Sequence, residues 1–266
     1  MKNKKISLAF GWGATRGFIH IGVLKYLEEE NVEIVELSGT SMWAIVASLS
    51  AVWKKSKEIE EITKSINFLK LVDFDLSYGV MKWKKVLKKL EELFWETKIE
   101  DLKIPLKIIA TNIETWEREV FEEWKITEAL RASISLPWIF VPHKIWESYY
   151  VDGWVVNNLP TDVLVGENIV WVSALKDIKW QLRFRKKFLW FEMKAGFFDY
   201  NYQVLHRAIL LMMKQNENKS IKDIKWKWTI IRPDFWNLDY RHYDKVNEFV
   251  EIWYKEAKKK LKKIFW

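Results

Sequence analysis

Cysteine is absent from the 266 residues, which excludes disulfides, thiolate metal ligands and a cysteine nucleophile, and fits a reducing compartment. Long apolar runs are absent too: nothing approaches the roughly 20 residues needed to span a bilayer. Lys2, Lys4 and Lys5 precede only the short stretch Ile6–Phe10, so no signal peptide is expected. Glycine is scarce, with 9 residues against 18 tryptophans. Hydrophobic residues make up 49% and charged residues 30%, a soluble globular composition. The net charge of +8 is spread along the chain and favours anionic partners only weakly.

The tryptophans stand in unusual places. Glycine is about 3% of the chain against a usual value of about 7%, and glycine and tryptophan together come to about a tenth of it. Trp12 lies between Gly11 and Gly13, Trp154 follows Asp152-Gly153, and Trp124 and Trp138 lie at loop positions. Trp116 sits between two strand-like runs, where a turn calls for φ > 0. We read many of these tryptophans as occupying glycine positions. Translation of a genome that uses UGA for glycine with a table that reads UGA as tryptophan accounts for the pattern. A genuinely tryptophan-rich chain is the other reading.

The hydropathy pattern reads as β-loop-α-β-loop-α. Ile6–Phe10 suits a buried strand. Phe18, Ile21, Val23, Leu24 and Leu27 form a helical stripe, Ile34–Leu37 a second strand, and Met42–Val52 an apolar helix. Helices are expected at Ser56–Leu71, Lys82–Leu93, Ile126–Ala132, Tyr202–Met213 and Asp244–Ile264. Strands are expected at Leu106–Asn112, Arg118–Glu122, Tyr149–Val151 and Ile169–Ala174. The fold class is therefore α/β, a central and mostly parallel sheet sandwiched by helices. With no linker or repeat, we expect a single domain over residues 1–266, its catalytic core at about 5–175 and a C-terminal helical completion at 176–266.

Three loops carry chemistry. Gly11-Trp12-Gly13-Ala14-Thr15-Arg16-Gly17 joins a strand to a helix and exposes backbone N–H groups. Such a loop serves either a dinucleotide, with Glu36 ending the next strand, or a transient oxyanion. Gly39-Thr40-Ser41-Met42-Trp43 places a serine at a strand-to-helix turn. It is a G-x-S-x-G nucleophile elbow if Trp43 stands for glycine, and otherwise Ser41 is an N-cap. Val151-Asp152-Gly153-Trp154 ends a strand in a carboxylate, where the plain alternative is a solvated turn. His20, His143, His206 and His242 have no triad context, whereas a serine paired directly with an aspartate needs no histidine.

In this order the three loops resemble the patatin-like phospholipases, in particular short bacterial single-domain members. Arg131-Ala132-Ser133-Ile134-Ser135-Leu136-Pro137, Asn157-Asn158-Leu159-Pro160 and Trp253-Tyr254 resemble further family segments. The resemblance implies a serine lipid acyl hydrolase with a catalytic dyad of Ser41 and Asp152. It implies an oxyanion hole from Gly11, Trp12, Gly13 and Ala14, with Arg16, Gly39, Trp43 and Gly153 in support. It implies neither cofactor nor metal, a phospholipid or lysophospholipid substrate, and no nucleic-acid partner. The expected location is cytoplasmic, peripheral to the inner face of the membrane. Trp12, Trp43 and Trp154 depart from the family where it has glycine or another small residue. An NAD(P)-dependent oxidoreductase and a non-catalytic lipid-binding protein are the competing readings. Lys258–Lys263 is read either as a contact for anionic lipid or as a solvated end that complements the helix dipole. Phe188–Phe191 and Gly196–Phe198 are read either as a lid over the site or as core.

Overall fold

A computed structural model describes residues 4–11, 18–52, 54–65, 73–75, 80–82, 84–137, 140–166, 168–173, 175, 185–188, 191–194, 197–222, 227–233 and 246–265. The first half runs β1 (Lys5–Phe10), α1 (Phe18–Glu29), β2 (Glu33–Thr40), α2 (Met42–Ala51), α3 (Ser56–Ser65), β3 (Asp73–Asp75), β4 (Val80–Lys82) and α4 (Lys84–Phe94). It continues through β5 (Leu106–Asn112), β6 (Arg118–Phe121), α5 (Ile126–Ser133), β7 (His143–Ile145) and β8 (Ser148–Asp152). The last part holds β9 (Asn168–Val172), β10 (Arg185–Phe188), β11 (Phe191–Lys194), α6 (Phe197–Lys222), β12 (Lys227–Ile231) and α7 (Val246–Phe265).

The main sheet has the order β12-β9-β1-β2-β5-β8-β7, with β6 also paired to β5. From β12 to β5 every pair is parallel. Beyond β5 the pairs are antiparallel, so the sheet is mixed, its parallel half the one the β-loop-α rhythm predicts. Two separate hairpins pair β3 with β4 and β10 with β11.

Alternation along the buried strands divides the core between two faces. Ile6, Leu8 and Phe10 point into the layer holding α1, α2 and α7, with Leu24, Leu27, Trp253, Ala257 and Leu261. Ala9, Ile169 and Trp171 point the other way, against Leu159, Leu164 and Ile221 of α6. Each fully buried Leu or Ile in these layers contributes roughly 1.5–3 kcal/mol. The stripe read from Phe249 to Leu261 is the buried side of α7, while Lys258, Lys259, Lys262 and Lys263 are exposed.

Several sequence expectations change. Helix α6 is 26 residues long, well beyond Tyr202–Met213; its polar C-terminal half carries no apolar stripe, and its buried Glu217 and Ser220 are held by hydrogen bonds to Ser173, Arg232 and Asn157. Strands β7 and β12 escape the pattern reading. β7 has only 3 residues, and Lys227–Ile231 follows no turn signal that marks it out. The Lys258–Lys263 cluster is solvated on its exposed side. The part of the helix expected over Ser56–Leu71 that follows Ser65 lies outside the described residues, and so do Trp12, Trp138 and His242; the side chains of Phe188, Phe191, Phe197 and Phe198 are likewise outside.

Two observations bear on the tryptophans. Trp95, Trp116, Trp124 and Trp146 have φ of 50°, 66°, 89° and 51°, a left-handed backbone that costs a non-glycine residue roughly 1–2 kcal/mol. Trp43, Trp154 and Trp171 are buried with indole N–H groups that find no acceptor among the described residues, although a buried Trp N–H ordinarily has one. The turn at Trp116 thus takes the conformation its sequence context calls for. Trp43 and Trp154 are not at positive φ; at these two sites the misfit is the orphaned indole nitrogen.

Candidate active site

Ser41 follows the last residue of β2 and precedes α2. Its backbone is at φ 62°, ψ −139°, the strained strand-to-helix turn of an elbow. Gly39 makes that turn compact: a Cβ there would lie 2.8 Å from Ala44 Cα and 3.0 Å from the Trp43 carbonyl carbon. Ser41 does not cap α2 with its side chain. Instead Ser41 Oγ donates to Asp152 Oδ2 at 2.5 Å. The N-cap alternative for Ser41 is therefore corrected; the hydroxyl is engaged elsewhere.

Asp152 reaches that position because β8 runs antiparallel beside β5, pairing Asp152 with Ala110. Its Oδ1 accepts from the Trp154 backbone N–H at 3.1 Å. Its own N–H donates to the Ser135 carbonyl at 2.9 Å, and its carbonyl accepts from Thr111 Oγ1 at 3.1 Å. Gly153 lets β8 end against β5, since a Cβ there would come within 2.4 Å of the Ile109 carbonyl oxygen. Asp152 is fully buried, so the solvated-turn alternative is corrected as well. Burial pushes its carboxyl up to about 7, against the opposing pull of the hydrogen bonds from Ser41 and Trp154.

No histidine hydrogen-bonds Ser41 among the described residues. His20 Nε2 is 3.3 Å from the Gly11 carbonyl, and its ring is wedged between Phe10 and the edge of Trp43. Burial pushes it down to about 3, so it is neutral near pH 7. His143 is engaged with Glu128 at 2.8 Å.

The glycine-rich loop is described only at Gly11. Its N–H donates to the Val172 carbonyl at 2.9 Å, continuing the β1–β9 ladder. Gly11 is thereby corrected as an oxyanion donor, because its N–H is already committed to the sheet. Trp12, Gly13, Ala14 and Arg16 are outside the described residues. Glu36, the acid of the dinucleotide reading, does not end its strand, which continues to Thr40. Its carboxylate is buried, accepts from Ser7 Oγ and the Val165 N–H, and pairs with Lys107; none of it is left for a ribose. The residue that sequence reasoning passed over is Ser133, quoted there within a connecting segment and assigned no role. Its Oγ accepts from the Ser41 N–H at 2.8 Å. The only local signal is a small polar residue in an otherwise buried segment.

Comparison with known proteins places the chain in a family. Residues 8–165 match the Patatin family, described as patatin-like phospholipase. An uncharacterized NTE family protein of Mycobacterium tuberculosis is 31% identical over 168 residues, covering 62% of this chain and 46% of that protein. Human patatin-like phospholipase domain-containing protein 6 is 29% identical over 167 residues, 59% of this chain and 12% of that one. The Drosophila melanogaster neuropathy target esterase sws is 28% identical over 178 residues, covering 62% of this chain and 12% of the esterase. The chain thus matches less than half the length of these curated relatives. VipD from Legionella pneumophila shares the fold, with a TM-score of 0.55 at 13% identity over 97% of this chain and 66% of that one. The family match spans more than half of the chain, and the chain belongs to the patatin-like phospholipase family.

Proposed function

We propose that the protein is a serine lipid acyl hydrolase in which Ser41 is the nucleophile and Asp152 its general base. The observation that carries this reading is the 2.5 Å contact from Ser41 Oγ to Asp152 Oδ2. The serine is held at a strained elbow, and the carboxylate is buried with no cation paired to it among the described residues. A carboxyl that titrates near the working pH is suited to taking and returning a proton. Membership of a phospholipase family, with an esterase among the relatives, supports an acyl ester of a phospholipid or lysophospholipid as substrate.

In the first half-reaction Asp152 takes the Ser41 proton as Oγ bonds to the ester carbonyl carbon. The tetrahedral intermediate collapses, the C–O bond to the alcohol breaks, and that alcohol leaves with the proton from Asp152. In the second, Asp152 takes a proton from water, the hydroxide attacks the acyl-enzyme, and the fatty acid leaves as Ser41 recovers its proton. The N–H groups of Trp12, Gly13 and Ala14 are the proposed oxyanion donors, each worth about 3 kcal/mol. Arg16 orients that loop or meets a lipid phosphate. The exposed lysines Lys258, Lys259, Lys262 and Lys263 supply a transient contact with an anionic membrane surface. Among the described residues no helix is long and apolar enough to cross a membrane.

The test is labelling by a serine-reactive phosphonate together with short-chain ester hydrolysis. Both are measured in the full chain as it stands and with glycine at Trp12, Trp43 and Trp154. Ser41 is the expected labelled residue, and Ser41→Ala is expected to abolish labelling and hydrolysis. Hydrolysis retained in Ser41→Ala overturns the mechanism.

A further inference from the structure

Ser41 takes a left-handed φ at the point where the β2–β5 ladder ends, the last pair being Thr40 with Ile109. That turn leaves the Ser41 N–H in a buried place without a regular ladder or helix partner. The partner it finds is a side chain from another part of the chain. Ser133 Oγ accepts from the Ser41 N–H at 2.8 Å and donates to the Ile109 carbonyl at 2.6 Å. One hydroxyl therefore serves an orphaned donor on the nucleophile and an acceptor on the neighbouring strand. Ser133 is fully buried, so bulk water has no access to replace it. Among small side chains only a hydroxyl accepts and donates well at one atom.

The same turn also holds the other half of the site. Two residues beyond Ser133, the Ser135 carbonyl accepts from the Asp152 N–H at 2.9 Å. The turn is in turn tied to its helix: Ser135 Oγ donates to the Arg131 carbonyl at 2.7 Å, and the buried Arg131 reaches both Ser135 Oγ and the Val141 carbonyl. Ser41 and Asp152 are thus each pinned through their own backbone N–H to one short segment at the end of α5.

We propose that Ser133 is a positioning residue for Ser41: its hydroxyl holds the nucleophile's backbone in the left-handed turn that aims Oγ at Asp152, while the Ser135 carbonyl sets Asp152 from the same segment. This rests on the Ser41–Asp152 reading above. Removing the hydroxyl releases Ser41 and leaves the Asp152 tether in place, so the relative placement of the two groups is lost while the substrate-binding surface is retained. The signature is a fall in kcat without a matching rise in KM.

The experiment uses the full chain carrying glycine at Trp12, Trp43 and Trp154, and compares Ser133→Ala, Ser133→Thr and Ser41→Ala. Ser48→Ala is the control, removing a buried α2 hydroxyl that has no hydrogen-bond partner among the described residues. Readouts are kcat and KM on a p-nitrophenyl short-chain ester, the second-order rate of phosphonate labelling, and circular dichroism. Ser133→Ala is expected to lower kcat and the labelling rate by about 10- to 100-fold, with KM within about 3-fold. Ser133→Thr, which keeps a hydroxyl, is expected to recover most of the loss, and Ser48→Ala to match the parent. A folded Ser133→Ala with parental kcat and labelling overturns the proposal, as does a folded Ser133→Thr as impaired as Ser133→Ala. Should Ser133→Ala not fold, Ser133→Cys decides, because a thiol fills the space but is a weak acceptor. Parental kcat in Ser133→Cys then overturns the proposal, and a drop of the stated size supports it. Ser41→Ala separates the two levels. If it still hydrolyses ester, the Ser41–Asp152 reading fails; if it is silent while Ser133→Ala is unimpaired, only the positioning role fails.

Discussion

Ser41 Oγ and Asp152 Oδ2 meet at 2.5 Å across 111 residues of sequence, inside a sheet whose parallel half carries the serine and whose antiparallel end carries the aspartate. The remaining carboxylate oxygen is held by the Trp154 N–H, and burial supplies the basicity that a second charged residue supplies in other sites.

That basicity sets the pH dependence. In the proposed mechanism Asp152 must be ionised to take the Ser41 proton, and burial raises its carboxyl to about 7. The kcat/KM profile for ester hydrolysis is therefore expected to fall below about pH 7, approaching tenfold per pH unit on its acid side. A pH–rate profile measured from pH 4 to 9 checks this; an acid limb near pH 4 would contradict it.

Stability responds to the same group. Asp152 holds its proton more tightly in the folded chain, about 7 against 3.8, so its contribution is full below about pH 4 and is lost as pH rises through about 7. Buried His20 acts oppositely, its folded value of about 3 against 6.5 giving stability that is present above about pH 6.5 and lost as pH falls towards 3. Asp152→Asn keeps the shape and removes the charge. It is expected to abolish hydrolysis and to gain stability over the parent progressively from pH 4 to pH 7, on the order of 4 kcal/mol at the plateau. Urea unfolding at pH 4 and pH 8 measures the gap; an equal gap at both would refute the assignment.

Trp95 and Trp116 are exposed and at φ of 50° and 66°. Glycine relieves a left-handed backbone worth roughly 1–2 kcal/mol and gives back roughly 0.5–1 kcal/mol in chain entropy. Trp95→Gly and Trp116→Gly are each expected to raise stability by up to about 1 kcal/mol. Thermal unfolding of the single variants reads this directly, and a lower Tm in both would argue for a genuinely tryptophan-rich chain.

Glycine at Trp12, Trp43 and Trp154 together is expected to raise ester hydrolysis above that of the chain as it stands. Activity is the informative readout, because the buried Trp43 packs edge-on against His20 at 4.2 Å and its removal also forfeits contacts. Equal rates in the two proteins would remove the case for glycine at these three positions.

Much of the architecture is legible along the chain. Strand β5 has the limits that its apolar run suggests, and the stripe on α7 faces the core as its period requires. The turn at Trp116 has the positive φ that its flanking strands call for. Local rules failed where the decisive partner is remote. The three residues of β7 are too few to carry a period. Glu36 reads as a strand-end acid until Ser7, Lys107 and Val165 are seen around it. Gly11 reads as an exposed donor until Val172 is found against it.

The succession of strand, glycine loop, helix, strand, serine turn and helix is readable along the chain, because backbone hydrogen bonding and side-chain periodicity act over neighbouring residues. So is the place of Asp152 at the end of a strand. The surroundings of that aspartate come from packing alone. The antiparallel pairing of β8 with β5 carries it to Ser41, complete burial lifts its carboxyl to about 7, and Ser133 arrives from 92 residues away to hold the Ser41 N–H. Dielectric environment and hydrogen-bond partners are properties of what surrounds a group in space, and those surroundings exist only once distant segments have packed.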